Sequence, residues 1–291
     1  SDLCPDIITV AAILIECCWE TDLETEDYTF APFASNPFYQ AENADLIEMT
    51  GVGPGQRIVD LACGNGGMTK LILERLRGAR NSVIIGIDQS SEMLKLAMED
   101  LKDAAVQFCH SRVEQVSDAV KESVDTVFFC NAIHYIAEKD DLVDEIFKLL
   151  RPGGKLAFNT SFFDGAHPPE TMLFARKWMM KSARILRREL GVTPDRSAKV
   201  ESRRQLTPDQ YRSLMENHGF QVTGQAINKV QVPLKGWLDI SGFKDFIDGV
   251  MPGVPLDQAK MALQTGCEQV FSELEVETIP RNWLRMVAVK G

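Results

Sequence analysis

Residues 58–67 read IVDLACGNGG. An apolar run that ends in an aspartate and then loses nearly every side chain within four positions is a strand running into a turn of bare backbone. Such a turn is used where main chain must come close to something. Immediately after it, GMTKLILERLRG has the spacing of an amphipathic helix.

The same alternation recurs on the C-terminal side. RIVDLAC, SVIIGID, VQFCHS, VDTVFFCN and GKLAFNTSF read as strands, separated by helices in GMTKLILERLRG, SSEMLKLAMEDLKD, a stretch around 114–121 and DDLVDEIFKLL. Short apolar strands between amphipathic helices mean a parallel sheet covered on both faces. With FQVTGQAINKVQV and WLRMVAVKG the pattern predicts a doubly wound, Rossmann-like α/β fold with seven mostly parallel strands. Ligands of such sheets bind at the carboxyl ends of the strands.

Four segments follow from this reading. Residues 1–50, with helical character at 5–20, an acidic loop at 21–27 and an aromatic, proline-rich stretch before a short helix around 41–50, are expected to form a helical N-terminal cap, and 51–161 the ligand-binding α/β core. Residues 162–219 are a helical insertion, and 220–291 hold the last two strands with a second helical insertion at 236–275. Both insertions are rich in Met, Phe and Trp. They are expected to bury that surface as a lid over the carboxyl edge of the sheet, together with the aromatic stretch 30–39.

Composition narrows the partners. The chain has 291 residues, 45% of them hydrophobic, and a formal net charge of -11. That charge argues against nucleic acid and anionic membrane surfaces. IITVAAILI, at 7–15, is too short to span a bilayer, so no membrane insertion is expected. Seven cysteines without a C-x-x-C pair suggest reduced thiols in a cytoplasmic protein and no metal site.

One segment opposes the global charge. Arg176, Lys177, Lys181, Arg184, Arg187, Arg188, Arg196, Lys199, Arg203 and Arg204 face only Glu189, Asp195 and Glu201 in the same span. A solvated helix face accounts for such a run. So does a dock for an anionic substrate or an acidic carrier protein. An oligomer is left open.

The glycine turn admits two cofactor classes. A dinucleotide fold wants G-x-G-x-x-G; Gly64 and Gly66 fit, but the third position is Thr69. Asp88 ends the second strand, where a carboxylate accepts hydrogen bonds from both hydroxyls of a ribose, which suits any adenosine cofactor. An NAD-type oxidoreductase and a non-catalytic cofactor-binding protein therefore stay open beside other enzymes.

Taken together, VDLACGNGG, GIDQSSEML, VDTVFFCNAIHYI and LLRPGGKLAF resemble the class I S-adenosylmethionine-dependent methyltransferases over roughly residues 50–160, with RPGG as a turn before the fifth strand. The resemblance implies S-adenosylmethionine as cofactor, with Asp60 near its sulfonium and amino group. It also implies that Ala62, Gly64 and Gly66 admit the cofactor, that Asp88 holds the ribose with Gln89 and Met93 beside it, and that Asn131 and Ala132 lie along the methionyl part. Ala62 stands where the family often has glycine. Where many members place an acid near the adenine amine, this chain has Ser111 and Arg112, so backbone at Arg112 and Val113 is expected to take that place.

The implied activity is methylation of a small, hydrophobic metabolite at oxygen or carbon, as in secondary metabolism. Methyl transfer is an in-line displacement, so the protein must align a nucleophile and, where needed, remove its proton. His134, after the fourth strand, and His167, after the fifth, are the catalytic candidates. Tyr39, Trp178 and Trp237 are candidates for the substrate pocket, against the plainer reading of each as core packing.

Overall fold

The structure, a computed structural model, describes residues 28–77, 81–195 and 205–291. The helix expected at 5–20, the acidic stretch 21–27, Cys4, Cys17, Cys18, Arg196, Lys199, Glu201, Arg203 and Arg204 lie outside the described residues.

Seven strands form one sheet: β1 (Arg57–Leu61), β2 (Val83–Asp88), β3 (Val106–His110), β4 (Val124–Cys130), β5 (Leu150–Thr160), β6 (Phe220–Pro233) and β7 (Thr278–Lys290). Their order is β3-β2-β1-β4-β5-β7-β6. Strands β1 to β5 are parallel, and β7 runs antiparallel to both β5 and β6. The order reverses between β1 and β4, so the crevice outside their carboxyl ends is the topological switch point where such sheets bind ligands.

The helices are α1 (Ala31–Ala34), α2 (Pro37–Thr50), α3 (Gly67–Arg75), α4 (Ser91–Asp100), α5 (Val116–Ala119), α6 (Lys139–Leu149), α7 (Pro169–Ile185), α8 (Pro208–Asn217), α9 (Leu234–Ile240), α10 (Lys244–Val250) and α11 (Leu256–Leu274). One face of the sheet packs Val59, Ile85, Val127, Phe129, Phe158 and Met286 against α5, α6 and α8. The other packs Ile58, Ile84, Phe128, Ala157 and Val287 against α2 and α3. A third apolar core, away from the α/β layers, gathers Phe33, Phe174, Trp178, Trp237, Phe246, Leu263, Phe271 and Trp283 from the N-terminal segment, α7, α9, α10, α11 and β7.

Three local features differ from the sequence pattern. The helix expected near 41–50 starts at Pro37, since a proline at the first helical position has its φ already set and no N–H to leave unpaired. The stretch 114–121 shortens to a 3₁₀ turn, Val113–Gln115, and the four residues of α5. Arg-Pro-Gly-Gly, expected as a turn before the fifth strand, lies inside β5: Leu150 pairs with Val124 and Lys155 with Thr126, so 151–154 bulge out opposite Asp125. Arg151 Nε closes that bulge onto the Asp125 carboxylate. Among the described residues no helix is long and apolar enough to cross a membrane.

Candidate functional site

Strand β1 delivers Asp60 to the carboxyl edge, 1% exposed. The chain then takes the left-handed conformation at every second residue: Ala62 at φ 56°, Gly64 at 55° and Gly66 at 83°. The two glycines serve different ends. A Cβ on Gly64 would meet only Met93 Cε, at 3.7 Å, so this residue offers bare backbone to the cleft. A Cβ on Gly66 would come within 3.0 Å of Leu101 Cδ1 and 3.4 Å of Ala97 Cβ, so its role is to let the turn pack against α4. Ala62 holds the same backbone region with a side chain, at a cost of about 1 kcal/mol.

Thr69, the residue that breaks the dinucleotide pattern, donates its hydroxyl to Asp60 Oδ2 at 2.5 Å. Burial pushes the Asp60 carboxyl up to about 7; the Thr69 bond opposes the rise and the nearby Asp88 charge adds to it. Asp88, at the end of β2, accepts the Gly64 N–H and the Ser90 N–H, both at 2.8 Å. Burial raises its pKa against those bonds. A carboxylate has about four lone-pair sites, so Asp88 can take further donors.

Asn131 follows β4 with φ 49°. Its Oδ1 accepts from Ser161 N at 3.1 Å, and its N–H donates to Asn159 Oδ1 at 3.0 Å. Asn159 Nδ2 in turn donates to Asn43 Oδ1 at 2.7 Å. This buried chain of amides ties α2 to the ends of β4 and β5. Burial likewise drives the Tyr39 hydroxyl far above its ordinary pKa, so it stays protonated.

These elements enclose a cleft of about 410 Å³. Asp60, Ala62, Gly64, Asp88, Gln89, Met93, Asn131 and Ala132 line it, with Tyr39. Tyr28, Phe30 and Phe243 complete its wall. Gly66, Arg112 and Val113 are not in that lining. The 3₁₀ turn after β3 sends Val113 into the core beneath the sheet, and Arg112 lies exposed, 3.4 Å from Glu114.

A second cavity, about 210 Å³, adjoins the cleft. His134, His167, Trp178 and Trp237 line this one, under a roof from α7, α9 and α10. Tyr135 lines both pockets. Of the lid expected from the two insertions together with 30–39, the insertions line the cavity, whereas Phe30, Ala34 and Tyr39 line the cleft and no residue of 30–39 lines the cavity.

His134 is 5% exposed, with its ring 4.0 Å from that of Tyr135 and 4.4 Å from that of Phe162. Its Nδ1 lies 3.1 Å from Thr160 Oγ1. His167 keeps an exposed edge at the mouth of the cavity, yet partial burial of its ring, and then the Arg281 charge, hold its pKa down to about 4. Arg281 Nη1 lies 3.3 Å from His167 Nε2, which as a neutral imidazole nitrogen accepts the bond. Trp178 donates its indole N–H to the Leu263 carbonyl at 2.7 Å.

Arg281 is the site residue that the sequence reading missed. It is 6% exposed, projects from β7 and lines the cavity. A lone Arg in IPRNW carries no motif, and its neighbours here, Tyr135, Ser161, Phe162, His167 and Trp237, come from the segments after β4 and β5 and from α9, far away in sequence. The basic run of α7 lies elsewhere: Lys177 and Lys181 both pair with Glu273 of α11, and Arg184, Arg187 and Arg188 line a separate surface groove with Met179 and Met180. Among the described residues no cluster of three or more His, Cys, Asp or Glu is placed to hold a metal ion.

Residues 58–154 match a family model described as a methyltransferase domain. A trans-aconitate 2-methyltransferase of Delftia acidovorans is 33% identical over 115 residues, which are 39% of this chain and 41% of that protein. A ubiquinone/menaquinone biosynthesis C-methyltransferase of Legionella pneumophila is 31% identical over 129 residues, 42% of this chain and 50% of that protein. The chain therefore spans half the length or less of these curated relatives. In fold it is similar to a phosphoethanolamine N-methyltransferase of Haemonchus contortus solved with phosphomonomethylethanolamine and S-adenosylhomocysteine. The TM-score is 0.56 at 19% identity, covering 92% of this chain and 59% of that one.

Proposed function

We propose, for a chain whose residues 58–154 form a class I S-adenosylmethionine-dependent methyltransferase domain, that its two pockets divide one reaction: the cleft holds the cofactor and the cavity holds a small-molecule acceptor. The observation that carries this reading is Tyr135, whose side chain borders both spaces, so that an acceptor in the cavity adjoins a cofactor in the cleft.

The residues of the cleft fit the cofactor. Asp88 has lone pairs free for ribose hydroxyls, Gly64 leaves room for close approach, and Asp60 offers a buried carboxylate whose ionised form a cation would favour. S-adenosylmethionine supplies an electrophilic methyl group on a sulfonium. The chain aligns the acceptor, excludes water beneath α7, α9 and α10, and removes a proton where the nucleophile carries one. His134 is the candidate base. His167, with a pKa near 4 and Nε2 already taken by an Arg281 N–H, is a weak base and instead orients that arginine.

The aromatic and aliphatic side chains of the lining suit a hydrophobic acceptor, methylated on this reading at oxygen or carbon. The groove of Arg184, Arg187 and Arg188 is where an acidic carrier protein would dock. Free thiols at Cys63, Cys109, Cys130 and Cys267 suit a reducing compartment such as the cytoplasm.

Calorimetry tests the cofactor first. S-adenosylhomocysteine binds, NAD does not, and Asp88→Ala lowers the affinity by about 100-fold, the loss of two hydrogen bonds to a charged group. Binding of NAD, or unchanged affinity in the variant, rejects the reading in favour of a dinucleotide enzyme or an unrelated ligand. His134→Ala should lower turnover by about 100-fold, with S-adenosylhomocysteine affinity within about twofold of wild type. Mass spectrometry of products from a metabolite library supplies the assay, and separates an enzyme from a protein that binds the cofactor without using it.

A further inference from the structure

Two buried arginines on β7 make the comparison on which this inference rests. Arg285, 9% exposed, faces α2, where Asp45 Oδ2 lies 2.5 Å from its Nη1 and Glu42 Oε2 lies 3.6 Å from its Nε. Its charge is balanced inside the fold. Arg281, 6% exposed, has no Asp or Glu within ion-pair distance among the described residues. Its Nε and Nη2 donate to the Ser161 carbonyl at 2.8 and 2.6 Å, and its Nη1 donates to His167. All of these acceptors are neutral.

A guanidinium has five N–H donors, so these three bonds leave two without a partner among the described residues. Its other neighbours are ring faces, Phe162 at 4.5 Å and Trp237 at 5.7 Å, and Tyr135, whose hydroxyl group favours the cation but, while protonated, brings no counter-charge. Ring faces attract a cation, but they do not replace the solvation lost on burial. A carbonyl at the end of β5 needs only a neutral donor. Burial lowers the Arg281 pKa to about 10, which leaves it charged at neutral pH.

We infer that the ligand of the cavity brings the missing counter-charge: the acceptor is a flat, apolar molecule bearing a carboxylate that pairs with Arg281. This rests on the reading of the cavity as the acceptor site and names the class of acceptor. A carboxylate is the anion that matches a single planar guanidinium edge. A phosphate dianion calls for more than one cation, and Arg281 is the only Lys or Arg among the described lining residues. The rings of Phe162, Trp178, Trp237 and Phe246 suit a flat body. Trp237 adds an indole N–H that is buried without a hydrogen-bond partner among the described residues. The basic run of α7 and the turn after it is not the anchor, since none of its described side chains lines the cavity: Lys177 and Lys181 pair with Glu273, and Arg184, Arg187 and Arg188 line a different groove.

The probe pair 2-naphthoate and 2-naphthamide has one ring system and differs in charge. Binding is read at pH 7.5 from quenching of tryptophan fluorescence, for which Trp178 and Trp237 stand in the cavity wall, and by calorimetry. The wild type should bind the acid at least ~10-fold more tightly than the amide. Arg281→Gln, which keeps a donor for the Ser161 carbonyl, should erase the preference, while Arg281→Lys keeps part of it. Absent binding of the acid, equal affinity for acid and amide in the wild type, or a preference that survives in Arg281→Gln overturns the inference. The wild-type ratio decides even if a variant fails to fold. S-adenosylhomocysteine affinity, measured on the same samples, reports separately on the cleft: its loss in the wild type would reject the methyltransferase reading, whereas acid–amide equality with that affinity intact rejects only the carboxylate anchor.

Discussion

The cleft and the cavity meet at Tyr135 and carry opposite charge. The cleft holds the carboxylates of Asp60 and Asp88 at its strand ends, with Lys244 and Asp245 also in its lining, and a single guanidinium, Arg281, sits among the rings of the cavity. In the cleft each strand-end carboxylate has its partners close by in the chain or on the adjacent strand: the Thr69 hydroxyl for Asp60, the Gly64 and Ser90 amides for Asp88. In the cavity the polar group is tethered through neutral acceptors and its charge is left for a ligand. A pocket whose charges are satisfied by the fold is ready for a ligand that adds hydrogen bonds. A pocket with an unbalanced buried charge selects a ligand by sign.

The largest effect that would break this division comes from the aromatic core of the roof. Trp178 is 3% exposed, stacks on Phe246 with centroids 5.8 Å apart and holds the Leu263 carbonyl. Trp178→Ala should cost about 3–5 kcal/mol of stability by denaturant unfolding. S-adenosylhomocysteine affinity should change by no more than about threefold, because β1, β2 and β4 carry the cleft. A parallel collapse of cleft affinity would show that the two pockets form one cooperative unit.

A smaller effect separates the pockets by pH. With Asp60 near 7, a cationic ligand that favours its ionised form should bind progressively less well below pH 7, by up to tenfold per unit. Titration calorimetry of S-adenosylmethionine between pH 5.5 and 8 should show this together with proton release, and Asp60→Asn should flatten the curve. Stability runs the other way. The folded pKa lies above the unfolded value of about 3.9, so the contribution of Asp60 is fully present below pH 4 and is lost as pH rises through 7. Measured in His134→Ala, which removes the other imidazole of the lining, binding of 2-naphthoate in the cavity should stay level over the same window, since Arg281 remains charged and His167 titrates near 4. Equal pH profiles for the two ligands would contradict the separation.

The smallest effect lies in the turn. Ala62 holds φ 56° with a side chain, so Ala62→Gly should raise stability by about 0.5–1 kcal/mol, the relief of strain less the added freedom of the unfolded chain. A rise in melting temperature without change in either affinity is expected; a fall would show that the Ala62 methyl group packs usefully against the cleft.

Much of the cleft was legible because its residues sit at fixed offsets from strand ends. Asp60, Gly64, Asp88 and Asn131 each close or follow a strand whose apolar pattern is visible in the chain. The contrast between Gly64 and Gly66 was not legible, since the packing partners of Gly66, Ala97 and Leu101, lie on and just beyond α4. Arg112 and Val113 were placed by resemblance; they stand at the start of a 3₁₀ turn of three residues, too short to show a period, and neither is in the lining of the cleft. Tyr39 lines the cleft and not the cavity of Trp178 and Trp237, although one aromatic core includes all three; the packing of Phe33 and Tyr39 against Trp283 of β7, which no local pattern shows, places it there.

The sequence by itself determined the α/β layers and the glycine-bearing edge, because the period of apolar residues and the backbone demands of a tight turn act over neighbouring positions. Only the tertiary structure decided the cavity. Residues 134, 162, 178, 237 and 281 converge there from five separate segments. Nothing local in the chain states that Arg285 meets Glu42 and Asp45 while Arg281, four residues further back on the same strand face, meets a neutral carbonyl, an imidazole and rings. That difference is a matter of which elements pack against each end of β7, and burial turns it into a requirement on the ligand.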